Sequence, residues 1–172
     1  MLKIEILRRL ASYDYKYDKN KDDYQNNTKN NMIDELFLYD GLKQIFKCNL
    51  QTVSNHPSMK HSDTIKVGKF KLKAFVEQRN FNTAIHGIID AYDINNQKID
   101  KYSMQKDGNQ YIGRWLFHSC YYAPLKKDTR AYSGGCFAMS TEDIQEFNKI
   151  LMDNGIRQGN TIDVTLMEVN CG

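Results

Sequence analysis

In Lys69-Phe70-Lys71-Leu72-Lys73-Ala74 every second residue is a lysine and the residues between are apolar. A period of two suits an extended strand with one wet face and one buried face. A helix would scatter both residue types around its circumference. The start of the chain repeats the pattern, with Leu2, Ile4 and Ile6 interleaved with Lys3 and Glu5. Within residues 33–53 two further runs, Glu35-Leu36-Phe37-Leu38-Tyr39 and Leu42-Lys43-Gln44-Ile45-Phe46-Lys47-Cys48, flank Asp40-Gly41, a strong hairpin signal. A chain patterned this way folds by burying the apolar face of a sheet. Its 172 residues are enough to do so within one domain.

The rest of the chain extends this reading. Residues 2–17 read as one or two strands ending in Tyr13-Asp14-Tyr15-Lys16-Tyr17, and residues 18–31, rich in Asn, Lys and Asp, as a solvated, disordered-looking loop. Asn55-His56-Pro57-Ser58 marks a turn, and 63–76, 83–94 and 110–118 read as strands. Past Cys136 the period changes. Ser140-Thr141-Glu142-Asp143 has the form of a helix N-cap with acids in the first turn, Ile144, Phe147, Ile150 and Leu151 fall on one helical face, and Asn154-Gly155 is a stop. Thr161 to Val169 reads as a last strand with Ile162, Val164 and Leu166 on one face. The expected fold is mainly β with one main helix after Cys136. Residues 1–60 form an N-terminal β-rich segment of the same domain as a core spanning 61–172.

Hydrophobic residues at 41% and charged residues at 26% mark a soluble, globular composition rather than a disordered one. The formal charge of +3, with lysines interleaved with acids as in Lys19-Asn20-Lys21-Asp22-Asp23, argues against a nucleic-acid partner. No apolar run approaches membrane-spanning length, so no membrane partner is expected. The first nine residues read as a strand and not as the apolar centre of a signal peptide. That leaves the compartment open between the cell interior, a phage-encoded protein, a cleaved leader and another export route.

Four cysteines, Cys48, Cys120, Cys136 and Cys171, contain no CxxC pair, which argues against a zinc ribbon or a disulfide framework. Cys48 reads as a small buried hydrophobe, Cys120 as a core or wall residue or, less readily, a redox partner of Cys136, and Cys171 as inert. Ser133-Gly134-Gly135-Cys136 concentrates more chemistry. Two glycines let the backbone approach a substrate and aim N–H groups at it, and His118, upstream, can take the thiol proton. On the residues alone two readings stand: a nucleophile, or a tight glycine turn before a buried cysteine. His118 closes the strand Trp115-Leu116-Phe117 and faces a loop. His86, in Ala84-Ile85-His86-Gly87-Ile88-Ile89, reads first as a core histidine and alternatively as a wall of the site. His56 and His61 flank a loop. His86, His118, Cys120 and Cys136 match no common ligand spacing, so no metal is expected. Neither Ser119 nor Ser133 lies in a G-x-S-x-G elbow.

His118, fourteen intervening residues, then Ser133-Gly134-Gly135-Cys136 resembles the signature of L,D-transpeptidases of the YkuD type. That signature is a histidine, a short variable loop, then Ser or Thr, His, Gly and Cys. Asp63-Thr64-Ile65 followed by Gly68-x-Phe70 is similar to the family's Thr-Pro-x-Gly-x-Phe segment, and Ser140-x-x-Asp143, the helix and Gly159-x-x-Ile162 resemble its closing elements. The resemblance covers about residues 63–169. It implies a mostly antiparallel β-sandwich with the helix at one side and no cofactor. It also implies Cys136 as nucleophile, His118 as base, the Ser119 carbonyl orienting the imidazole, and Ser133, Gly134 and Gly135 shaping an oxyanion pocket. The chain departs from the family at Gly134, where histidine is usual, and at Ala138, where Arg or Asn is usual. Arg114 and Arg130 are candidates for a substrate carboxylate contact instead, with His86 and Tyr132 as further lining residues.

The expected activity is acyl transfer through a thioester on Cys136. The substrate is a peptidoglycan stem peptide or a related D-amino-acid-containing peptide, ending in a crosslink or in L,D-carboxypeptidase hydrolysis. The alternatives are a non-catalytic cell-wall-binding or phage-structural module that keeps the fold, and a thiol amidase with another substrate.

Overall fold

The structure is a computed structural model that describes residues 1–9, 15–18, 23–26, 32–53, 63–65, 67–78, 84–90, 101–103, 115–120, 123–131, 133 and 136–169. In chain order the strands are β1 (Leu2–Arg8), β2 (Tyr15–Asp18), β3 (Asp23–Asn26), β4 (Asp34–Asp40), β5 (Lys43–Leu50), β6 (Asp63–Ile65), β7 (Gly68–Gln78), β8 (Ala84–Asp90), β9 (Lys101–Ser103), β10 (Trp115–Ser119) and β11 (Phe137–Met139). The helix α1 (Thr141–Asp153) and β12 (Thr161–Glu168) follow. The fold is mainly β, with one helix among the described residues.

Eight strands form one sheet in the order β11-β10-β8-β7-β12-β1-β4-β5. Neighbours run antiparallel except β1 with β12 and β10 with β11. The strands at the two ends of this order meet. Gln51, just past β5, and Ala138 of β11 exchange both backbone hydrogen bonds, at 2.8 and 3.0 Å. The sheet curls back on itself there, which pairs edges that would otherwise stay open. The N-terminal strands are integral to this arrangement, since β1 lies between β12 and β4.

The alternating runs explain the core. Ile4, Ile6, Leu36, Leu38, Phe46, Leu50, Phe70, Leu72, Ile162, Val164 and Leu166 all bury in one cluster, while Lys69, Lys71 and Lys73 are exposed. Helix α1 adds Ile144, Phe147 and Leu151 to that cluster. The Phe147 ring lies 5.7 Å from that of Phe46 and 6.3 Å from that of Phe117, which stacks on Phe137 at 5.1 Å. Full burial of one such side chain contributes about 1.5–3 kcal/mol. Ser140 caps α1, its Oγ accepting from Asp143 N at 3.1 Å. At the other end Gly155 N donates to Met152 O and Ile156 N to Leu151 O, each at 3.0 Å. Gly155 sits at φ 84°, the left-handed conformation this stop requires.

Three expectations change. The hairpin loop is Gly41-Leu42 and not Asp40-Gly41, because Asp40 pairs with Lys43. Gly41, at φ 60°, takes the first central position of a type II′ turn, whose twist suits the flanking strands. The stretch 18–31 contains a strand, since Asp23–Asn26 pairs with Tyr15–Asp18. Its register sets Tyr24 opposite Tyr17, a cross-strand aromatic position that a composition of Asn, Lys and Asp hides. The run 63–76 divides: β6 pairs with β9, a strand that the sequence did not announce, while β7 joins the main sheet. The turn at 55–58, His61 and Cys171 lie outside the described residues.

Candidate functional site

Strands β10 and β11 run side by side, with Phe117 level with Phe137, His118 with Ala138 and Ser119 with Met139. Phe117, Phe137 and Met139 belong to the main core, so the pleat puts His118 and Ala138 on the opposite face. Cys136 precedes Ala138 by two residues and shares its parity. His118 in β10 and Cys136, one residue before β11, are thus brought to the same end of the sheet, although a long loop separates them in sequence. The Cys136 thiol is partly exposed and not in a disulfide, and His118 is half-buried.

Local contacts position both residues. His118 Nδ1 lies 2.7 Å from Ser119 O. A carbonyl only accepts, so Nδ1 carries the proton, and in the neutral ring Nε2 is the acceptor nitrogen. That is the tautomer a general base needs for a thiol proton. Ser133 is buried, and its Oγ donates to Cys136 O at 2.6 Å, bridging the glycine pair from serine to cysteine.

Described residues of the loop between the two pack against Ala138. Cys120, Ala123, Ala131 and Ala138 cluster with Met32, away from the main core. Met32 N donates to Thr129 O and Thr141 N to Ala123 O, both at 2.9 Å. Lys126 Nζ donates to Asp143 Oδ1 at 2.8 Å and also to Glu146, tying the loop to the first turns of α1. The hydrogen bonds to Asp143 and Glu146 hold the Lys126 ammonium well above its ordinary value.

The other sequence candidates are placed as follows. Ser119 is buried and supplies the carbonyl contact. Arg130 is exposed on the loop between His118 and Cys136. His86 stands in β8, next to β10. Arg114, Tyr132, Gly134 and Gly135 lie outside the described residues. Cys48 is buried, with Sγ 3.4 Å from Met139 Sδ; burial, then the nearby Asp143 carboxylate, pushes its thiol far up, so it is no nucleophile. Cys120 is buried, and neither it nor Cys136 is in a disulfide. Among the described residues no group of three or more His, Cys, Asp or Glu could hold a metal ion. None of the described helices is long and apolar enough to cross a membrane.

Two features of this end of the sheet escaped the sequence. Gln51, fully buried, bridges Ala138 on the side away from His118, and its Nε2 donates to Val53 O at 2.6 Å. Next to it a buried polar network fixes Thr52. Arg8 Nε donates to Thr52 Oγ1 at 2.8 Å and Arg8 Nη1 to Glu168 at 3.1 Å, while Asp34 accepts from Thr52 Oγ1 at 2.6 Å and Thr52 N at 3.0 Å. One signal existed: Arg8 falls on the same parity as Ile4 and Ile6, so an inward arginine needed partners.

The chain is 32% identical over 180 residues to an uncharacterized protein of Treponema pallidum (strain Nichols), an alignment covering 98% of this chain and 81% of that protein. The chain belongs to the same family as that protein. The related region spans nearly the whole chain, so it takes in both the N-terminal strands and the end of the sheet that carries His118 and Cys136. No family model and no solved structure matches the chain.

Proposed function

We propose that this protein is a cysteine acyl-transfer enzyme of the L,D-transpeptidase type, acting on a peptide amide flanked by a D-amino acid. The observation that supports the reading is the pairing of β10 with β11, which brings His118 level with Ala138, two residues past Cys136, with His118 Nδ1 2.7 Å from Ser119 O. His118 Nε2 takes the thiol proton, and the thiolate sulfur attacks the amide carbonyl. Backbone N–H groups of Gly134, Gly135 and Cys136 stabilise the oxyanion, each good donor being worth about 3–4 kcal/mol. The C–N bond breaks, the amine leaves with the proton from His118, and a thioester remains on Cys136. An acceptor amine or water, giving its proton to His118, then attacks the thioester and releases the thiol. A peptidoglycan stem peptide is the substrate that the motif resemblance supports.

Carbapenems acylate nucleophiles of this kind, and intact-mass measurement tests the assignment. An adduct is expected on the wild type and none on Cys136→Ala; an adduct that persists in the alanine variant refutes the reading. Gly134 and Ala138, where the motif usually carries polar side chains, favour a second reading, a non-catalytic wall-binding module. In that case Cys136 labels with iodoacetamide as an ordinary thiol of pKa about 8.5 and ignores His118→Ala.

A further inference from the structure

We infer that the end of the sheet carrying the Gly41-Leu42 turn is a docking surface for an anionic lipid bilayer, a role separate from the thiol chemistry. The turn gives the first observation. Leu42 is 97% exposed, and the second central position of a type II′ turn makes no demand for an apolar residue. Strands β1, β4, β5 and β12 share this end of the sheet. Leu2 is level with Asp40, Asp40 with Lys43, and Lys3 with Asp163 near the start of β12. Gly41 N donates to Met1 O at 3.2 Å, which sets the start of β1 against the turn.

Cations gather at the same end. Lys3 and Lys43 are exposed, as are Lys71 and Lys73 on β7, level with Asp163 and Thr161 of β12. Arg157 is exposed in the turn that leads into β12. Acids at these positions are fewer. Asp40 is paired with the Met1 amine at 3.2 Å, and Asp163 and Asp90 stand level with Lys71. Among the described residues no carboxylate pairs with Lys43, Lys71 or Lys73. The acids of α1, Glu142, Asp143, Glu146 and Asp153, hide this segregation in the net charge of +3. Tyr39 is half-buried, with Lys3 Nζ 5.2 Å from its ring centroid, and an aromatic with a polar tip suits a boundary between lipid and water. One occupant accounts for the whole set. A soluble polyanion would use the lysines and leave Leu42 without a role. A bilayer with anionic headgroups takes the leucine below the headgroups and holds the lysines above them, and such a surface contact needs no spanning segment. Strand β5 carries the chain about 25 Å from the turn to Gln51, so docking leaves the end where Gln51 meets Ala138 away from the lipid.

Sedimentation with large vesicles tests this, using phosphatidylcholine alone and an equal mixture of phosphatidylcholine and phosphatidylglycerol. The protein is expected to pellet with the mixed vesicles and to stay in solution with phosphatidylcholine alone. Leu42→Ser, at an exposed turn, is expected to weaken binding about tenfold. Lys71→Gln and Lys73→Gln are each expected to weaken it about fivefold. Lys127→Gln is the control for net charge. Lys127 lies in the loop that bonds to Met32, just before β4, and so at the opposite end of that strand from Leu42. Its loss is expected to change binding by no more than about twofold. No binding to the mixed vesicles, equal binding to both kinds, or an effect of Lys127→Gln as large as that of Lys73→Gln overturns the proposal. A loss confined to the lysine variants, with Leu42→Ser unchanged, marks a soluble polyanion as the ligand and also overturns it. Cys136→Ala is expected to bind as the wild type does, so the outcome is independent of the acyl-transfer reading.

Discussion

Replacing Thr52 by valine removes one oxygen from a buried, heavily hydrogen-bonded network. Arg8, Asp34 and Thr52 are all fully buried. The Thr52 hydroxyl accepts from Arg8 Nε at 2.8 Å and donates to Asp34 Oδ2 at 2.6 Å, so both of its bonds reach charged groups. Bonds of that class are worth about 1.5–3 kcal/mol each. Asp34 keeps the backbone donors Arg9 N and Thr52 N, and Arg8 keeps Glu168 and Thr52 O, which limits the loss. The expected cost is about 3 kcal/mol, the lower end of the sum. For a chain of this size that is a fall in melting temperature of about 6–12 °C. Thr52→Ser is the control, because it keeps the hydroxyl and loses one methyl, about 1 kcal/mol. Urea unfolding of the wild type and both variants, followed by tryptophan fluorescence, gives the comparison. Thr52→Val costing no more than Thr52→Ser would refute the reasoning. The consequence reaches the site, since Thr52 follows Gln51, whose backbone closes the sheet against Ala138.

Two further outcomes are expected. Phe147→Ala removes the ring that joins α1 to Phe46 and Phe117 and is expected to cost about 3–5 kcal/mol in urea unfolding, whereas Leu42→Ala, at the exposed hairpin turn, stays within about 0.5 kcal/mol. Partial burial raises the Glu35 carboxyl, but hydrogen bonds from Arg9 and Lys47 outweigh it and hold the group below its ordinary value of 4.5. A folded value below the unfolded one contributes stability above pH 4.5, which disappears as pH falls through the lowered value. Glu35→Gln is therefore expected to flatten the acid limb of stability in urea midpoints measured between about pH 5 and 3, and an unchanged slope would count against the assignment.

Much of the sheet was legible because its signals are local. Lys69 to Ala74, Leu2 to Ile6 and Ile162 to Leu166 each carry their burial pattern in period-two alternation, and Ser140 and Gly155 carry the helix ends in single residues. Strands β3 and β9 were not legible, because short polar strands gain their pairing from partners and not from their own composition. At the candidate site, His118 and Cys136 stood out by residue type and spacing. Gln51 did not, since nothing around it in the chain reveals that its backbone meets Ala138.

By itself, the sequence determined a mainly β chain, the inward side of most of its long strands, the helix after Cys136 and the two residues most suited to thiol chemistry. Only the tertiary structure decided that β10 and β11 run parallel, that His118 stands level with Ala138, two residues past Cys136, and that the sheet closes at Gln51. Alternation states which residues share a face within one strand, but strand order and register are set by long-range hydrogen bonds and packing, which no single segment encodes.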